Sequence, residues 1–308
     1  MRIQILKCIA VLSLLLLSHT SVWAQQDPQY TQYMYNPINI NPGYAGSRGV
    51  TSIFGMHRAQ WVGLDGAPVT NVVSVNAPVG RNVGLGATFV NDKIGPTDTN
   101  VISADFSYTV KVNDDYKVGL GIKGSLQLFN IDYTKLNIYD PNDPRFQNNI
   151  TNKLTPNVGA GAYLYSENTY FGLSVPNILE TNHYQDNDIS VARERFHVYA
   201  MAGHVFDLAY NWKFKPAALA KVVQGAPLQL DLTANVLYND RFTLGLAYRW
   251  DAAVSVLAGF QATDTLFIGY TYDTETTKLA NYNSGSHEIF LRFELFRKYE
   301  KVMNPRFF

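Results

Sequence analysis

The chain has 308 residues, with 25 Lys+Arg against 25 Asp+Glu and so no formal net charge. That balance leaves no field to draw a nucleic acid or an anionic lipid surface. Charged residues make up only 16%, while Tyr and Phe number 20 and 17. Low charge and many rings, without long apolar runs, fit a β protein whose outer face meets something other than water.

Residues 1–24 have the form of a secretory signal peptide. Arg2 and Lys7 supply the positive region, residues 9–17 the apolar core, and Val22-Trp23-Ala24 the cleavage site. The apolar run is short for the roughly 20 residues of a spanning helix, and no later stretch supplies one. Cys8, the only cysteine, precedes the apolar core and is misplaced for lipoprotein attachment. The mature chain then has no thiol for disulfides or thiolate metal sites. If it resides in a membrane it must do so as a closed barrel, the other architecture that satisfies its own backbone in lipid.

Residues 25–46 follow, with Pro28, Pro37 and Pro42 breaking any regular ladder and Tyr30, Tyr33, Tyr35 and Tyr44 spaced between them. So many rings are out of place in a solvated linker. The segment is expected on the periplasmic side as an N-terminal aromatic unit (25–48), tucked into a barrel mouth or presented to a partner. Packing on its own barrel is favoured, because ring-rich segments more often serve packing. In the other case Tyr30, Tyr33 and Tyr35 are the partner-binding candidates.

From residue 49 the period is two almost everywhere. Residues 242–250 put Phe242, Leu244, Leu246, Tyr248 and Trp250 on one face and Thr243, Gly245, Ala247 and Arg249 on the other. Residues 228–238 oppose Leu228, Leu230, Leu232, Ala234 and Val236 to Gln229, Asp231, Thr233 and Asn235, and 116–128 and 102–110 repeat the pattern. A soluble sandwich alternates too. The membrane is favoured because the polar face carries small, hydroxyl and charged residues suited to a wet or crowded lumen. In addition, Tyr108, Tyr116, Tyr170, Trp212, Tyr238, Phe242, Trp250, Tyr270 and Tyr272 gather near strand ends, as in interfacial girdles.

Strands are predicted near 49–59, 69–77, 82–91, 101–111, 116–129, 157–165, 170–175, 196–205, 212–223, 228–238, 242–250, 253–262, 266–273 and 286–296. That makes an all-β, transmembrane antiparallel barrel of about 14 strands, an even number of the outer-membrane type. Connections after even strands are short, while those after odd strands include the long ones at 60–68, 131–156, 176–195 and 274–285. Two odd connections, 224–227 and Asp251, are also short. Short turns are periplasmic in such barrels, which puts both termini, including a tail at 297–308, in the periplasm. The last strand alternates Ile289, Leu291, Phe293 and Leu295 outward and ends on the aromatic Phe296, like an outer-membrane insertion signal.

Chemistry is sparse. His57, His183, His197, His204 and His287 lack metal-site spacing, and His197 and His204 fall on opposite faces of one strand. Paired glycines at 84/86, 119/121 and 159/161 open no helix; in a barrel they relieve lumen crowding. Asp140 to Pro144 and Asp186-Asn187-Asp188 are oxygen-rich outer-loop clusters without the spacing of a calcium loop. Turn chemistry is the simpler reading, with Asn142, Asp143, Asp186 and Asp188 as loop contacts for a partner. No G-x-S-x-G elbow appears, and no catalytic residue, metal ligand or cofactor is assigned.

Asp27-Pro28-Gln29-Tyr30-Thr31-Gln32-Tyr33-Met34-Tyr35-Asn36 and Asn41-Pro42-Gly43-Tyr44-Ala45-Gly46 resemble the N-terminal signature of the PorP/SprF outer-membrane proteins. Arg58-Ala59-Gln60-Trp61, Gly66-Ala67-Pro68 and Gly285-Ser286-His287-Glu288-Ile289 resemble later parts of the same pattern, in order along the mature chain. The resemblance implies a non-enzymatic barrel of the type IX secretion and gliding-motility apparatus. Its implied partners are outer-membrane lipid, periplasmic ring components, and a secreted adhesin-like protein held at the cell surface through its C-terminal domain. A passive or substrate-selective pore is the alternative function. In that case Lys117, Lys123, Lys213, Lys215, Lys221 and Arg249 would line a conduit, unless they pair with Asp105, Asp231 and Glu294 inside a plugged barrel, the favoured arrangement. A barrel lipase would need a Ser–His pair at one depth.

Overall fold

A computed structural model describes residues 30–138, 148–179, 197–223 and 226–295. Fifteen strands form one antiparallel sheet: β1 (Thr51–Ala59), β2 (Val69–Pro78), β3 (Val83–Ile94), β4 (Thr97–Lys111), β5 (Lys117–Ile131), β6 (Ile150–Tyr165), β7 (Thr169–Val175), β8 (His197–His204), β9 (Phe206–Ala209), β10 (Trp212–Val223), β11 (Gln229–Tyr238), β12 (Phe242–Arg249), β13 (Ala253–Gln261), β14 (Leu266–Glu275) and β15 (Ser286–Leu295). β8 and β9 are one stave interrupted at Val205, and both pair with β10. β10 also pairs with β11, and β1 with β15, so fourteen staves close into a barrel with no free edge.

The barrel is inside-out relative to a soluble sandwich. The apolar face of each stave points outward, with Leu244 and Ile122 65% and 63% exposed, while Thr233, Asn235, Arg249 and Lys123 are buried. Exposed rings cluster at both rims: Trp212 against Tyr238 and Phe242 against Phe260 at one, Trp250, Tyr270 and Tyr272 at the other. An apolar band between aromatic girdles is the surface of a membrane barrel. Tyr170 departs from the predicted girdle, because it faces inward and stacks on Tyr163.

The two ends of the barrel differ. At the turn end the staves meet in tight connections, such as 79–82, 210–211 and 239–241. At the loop end lie the connections 60–68, 132–149, 176–196 and 276–285. Predicted boundaries move by more than two residues in three connections, the first being 131–156, whose residues 150–156 belong to β6. Residues 92–100 were expected as a connection, but β3 and β4 continue through them to a tip at Gly95-Pro96, braced by the Gly95 N–H donating to the Gly66 carbonyl at 2.9 Å. The turn expected at 206–211 shortens to two residues, because 206–209 is β9. The wall over β3–β6 therefore stands tallest at the loop end.

Candidate functional site

The lumen is occupied by the chain's own N-terminal segment. Residues 30–49 pass through it as three single 3-10 turns: η1 (Tyr33–Tyr35), η2 (Pro37–Asn39) and η3 (Pro42–Tyr44). Proline opens η2 and η3, where its fixed φ suits a first helical position and its missing N–H costs nothing. Asn41 caps η3, accepting from the Gly43 N–H at 2.9 Å and donating to the Ala162 carbonyl at 3.0 Å. Tyr33, Met34, Tyr35, Ile38, Ile40, Tyr44 and Ala45 are all buried and form the core of the molecule with Phe54, Tyr163, Met201, Phe267 and Phe290.

One wall is cut back to admit this plug. A methyl group on Gly84 would collide with the Ala45 carbonyl, on Gly86 with Ile38, on Gly119 with Gly43 and on Gly121 with Pro42. Both Gly-x-Gly pairs of β3 and β5 are therefore a groove for η2 and η3, the relief of crowding that their spacing suggested. Hydroxyl and amine groups around the groove hold plug carbonyls: Ser107 donates to Ala45 at 2.6 Å, Ser174 to Ile40 at 2.7 Å, and Lys123 to Ile38 at 3.2 Å.

The opposite wall binds the plug by charge. Arg58 on β1 lies 2.7 Å from Asp273 on β14 and 2.9 Å from Glu288 on β15. Glu288 accepts the Thr31 and Gln32 backbone N–H groups, each at 3.2 Å, and the Thr31 hydroxyl donates to Asp273 at 2.7 Å. Arg58 is 2% exposed and Glu288 not exposed at all. At the turn end Arg48 pairs with Glu294, which Arg292 also approaches at 3.3 Å. Between these clamps Tyr35 packs on Phe267 and Phe290 at 5.4 and 4.8 Å between ring centres. Lys215 and Arg292 lie 5.6 and 5.8 Å from the centre of the Tyr35 ring, within cation–π reach. The plug thus staples the β1–β15 seam, where the first and last strands meet.

Tyr33 and Tyr35 are inside the barrel, and Tyr30 is half-buried at the loop end, lining a cavity of about 540 Å³ with Asp92, Phe129 and Tyr199. Asn142, Asp143, Asp186 and Asp188 fall outside the described residues, as do residues 1–29 and 296–308, which hold the segments expected as a signal peptide and a tail. Of the lumen cations, Lys123 pairs with Asp105 at 3.1 Å and Arg249 with Asp231 at 2.6 Å, while Lys213 reaches Asp240 at the rim at 2.6 Å. The Arg58–Asp273–Glu288 cluster was not foreseen. Arg58 and Glu288 each stood in a recognised motif, but nothing local joins residues 230 positions apart. Four of the five motif blocks meet at the plug. The described residues of the first two form the plug, the blocks at 58–61 and 285–289 supply Arg58 and Glu288, and the block at 66–68 braces the loop end through the Gly66 carbonyl; Trp61 binds across the same seam, its indole N–H donating to Glu275 at 2.8 Å.

Among solved structures the barrel is similar to outer membrane protein Omp33 of Acinetobacter baumannii, at 7% identity and a TM-score of 0.49 over 80% of this chain and 98% of that one. It is also similar to a FadL homologue of Pseudomonas aeruginosa (12%, 0.47, covering 90% and 96%) and to the toluene transporter TodX of Pseudomonas putida (9%, 0.48, covering 89% and 95%). No curated protein matches. The family model described as type IX secretion system membrane protein PorP/SprF matches residues 22–293, close to the whole chain, and this barrel belongs to that family.

Proposed function

We propose that this outer-membrane barrel is a closed docking platform of the type IX secretion system, not a conduit and not an enzyme. Its long connections face the exterior and hold a secreted adhesin-like protein through that protein's C-terminal domain. Its tight turns and the 297–308 tail face the periplasmic ring components. The observation that carries this reading is the plug. A lumen occupied from Thr31 to Gly46 and clamped by buried ion pairs leaves the two ends as the surfaces available for work. Asn142, Asp143, Asp186 and Asp188 are outer contacts in this scheme. The pore alternative is less well supported, because Lys123 and Arg249 pair within the lumen instead of lining an open path.

Deletion of the gene in its native host tests the proposal. One specific surface protein is expected to be lost from intact cells and recovered in the medium or the periplasm. Normal surface display of every exported protein in the deletion strain would refute it.

A further inference from the structure

We infer that the mature chain enters its own barrel from the loop end, so that its N-terminus opens on the same face as the long connections. Strand parity alone points the other way. β1 begins at the turn end, beside the β2–β3 turn and the last residues of β15, which would leave both termini there. The plug adds one more crossing.

Its two ends are fixed at opposite rims. Thr31 and Gln32 bind Glu288 and Asp273, each the third strand residue from the 276–285 connection, on β15 and β14. Arg58, bonded to the Thr31 hydroxyl at 3.1 Å, is next to the last residue of β1 before the 60–68 connection. Tyr30 lines a cavity with Asp92, Ile94 and Thr97, at the loop-end tip of the β3–β4 hairpin. At the other extreme Arg48 reaches Glu294, the penultimate residue of β15, and Gly46 abuts Gly84 and the end of β2. Between these points Asn36, Ile38, Asn41 and Ala45 contact the wall in turn. A segment whose first residues sit at one rim and whose last residues sit at the other has crossed the barrel once.

Thr31, bonded to Arg58 and Glu288, lies beside the seam where the 60–68 and 276–285 connections are laced together, the Ser284 N–H donating to Val62 at 2.8 Å and the Val62 N–H to Gly285 at 2.9 Å.

Single cysteines in the full chain test the inference, using an impermeant maleimide on intact cells. Asn281→Cys, on the exposed loop-end connection, and Asp114→Cys, in a tight turn, report the two faces. Asp27→Cys is expected to react together with Asn281→Cys and in the same condition. Reaction of Asp27→Cys only with Asp114→Cys, or only after denaturation, would overturn the inference. If Asn281→Cys is silent on intact cells while Asp114→Cys reacts, the proposed membrane orientation fails. Asp27→Cys tracking Asn281→Cys would still support the shared face.

Discussion

Arg58 makes the heaviest electrostatic commitment in the lumen. Two carboxylates and one guanidinium are withdrawn from water, and the surplus negative charge is held by the Thr31 and Gln32 N–H groups and the Thr31 hydroxyl. Such a cluster is stable only while complete, since a charge left alone in a buried site costs about 3–5 kcal/mol. Arg58→Met is therefore expected to lower stability by that order, read as a fall in the temperature at which the folded band is lost on unheated gels. Adding Glu288→Gln should recover part of the loss, because it removes one of the two stranded carboxylates. A melting temperature unchanged in Arg58→Met would show that the cluster does not hold the seam.

At the scale of elements, the plug and the glycine groove are one design split across the sequence. Three prolines and four tyrosines made 25–46 legible as irregular and packed, and the packing alternative is the arrangement found for Tyr33 and Tyr35. The surface it packs on was not legible, since the groove belongs to β3, β5, β6 and β7, up to 134 residues away. Glycine is required where backbones nearly touch. Gly121→Val forces a side chain into Pro42 and is expected to unseat η3, so that purified protein shows step conductance in a planar bilayer where the wild type stays silent. Gly124→Val, facing open space, should remain silent. Equal behaviour of the two variants would mean that the groove does not seat the plug.

For the whole molecule, the belt decides the solvent. Leu244, Leu246 and Ile122 stand outward while Arg249, Asp231 and Lys123 lie inside, an arrangement stable only against lipid. Leu246→Arg, near the middle of β12, is expected to cost about 2–4 kcal/mol, as for a cation at the bilayer midplane. Denaturant titration of protein folded into vesicles would measure it, and a cost near zero would place Leu246 outside the hydrocarbon. Closure follows from the same economy, because every backbone group in lipid must be paired and an open edge leaves some unpaired.

Periodicity and composition by themselves determined the barrel, the inward and outward faces, the fourteen staves and the alternation of short and long connections. These are local properties, repeated every two residues and every hairpin, so each stretch of chain carries its own share of the answer. Only the tertiary structure decided that the N-terminal segment fills the lumen, that Arg58 meets Glu288 and Asp273 on Thr31, and that the plug crosses from loop end to turn end. Those contacts join the first residues to the last through the closing seam of the barrel. No window of sequence contains both partners until β1 and β15 pair.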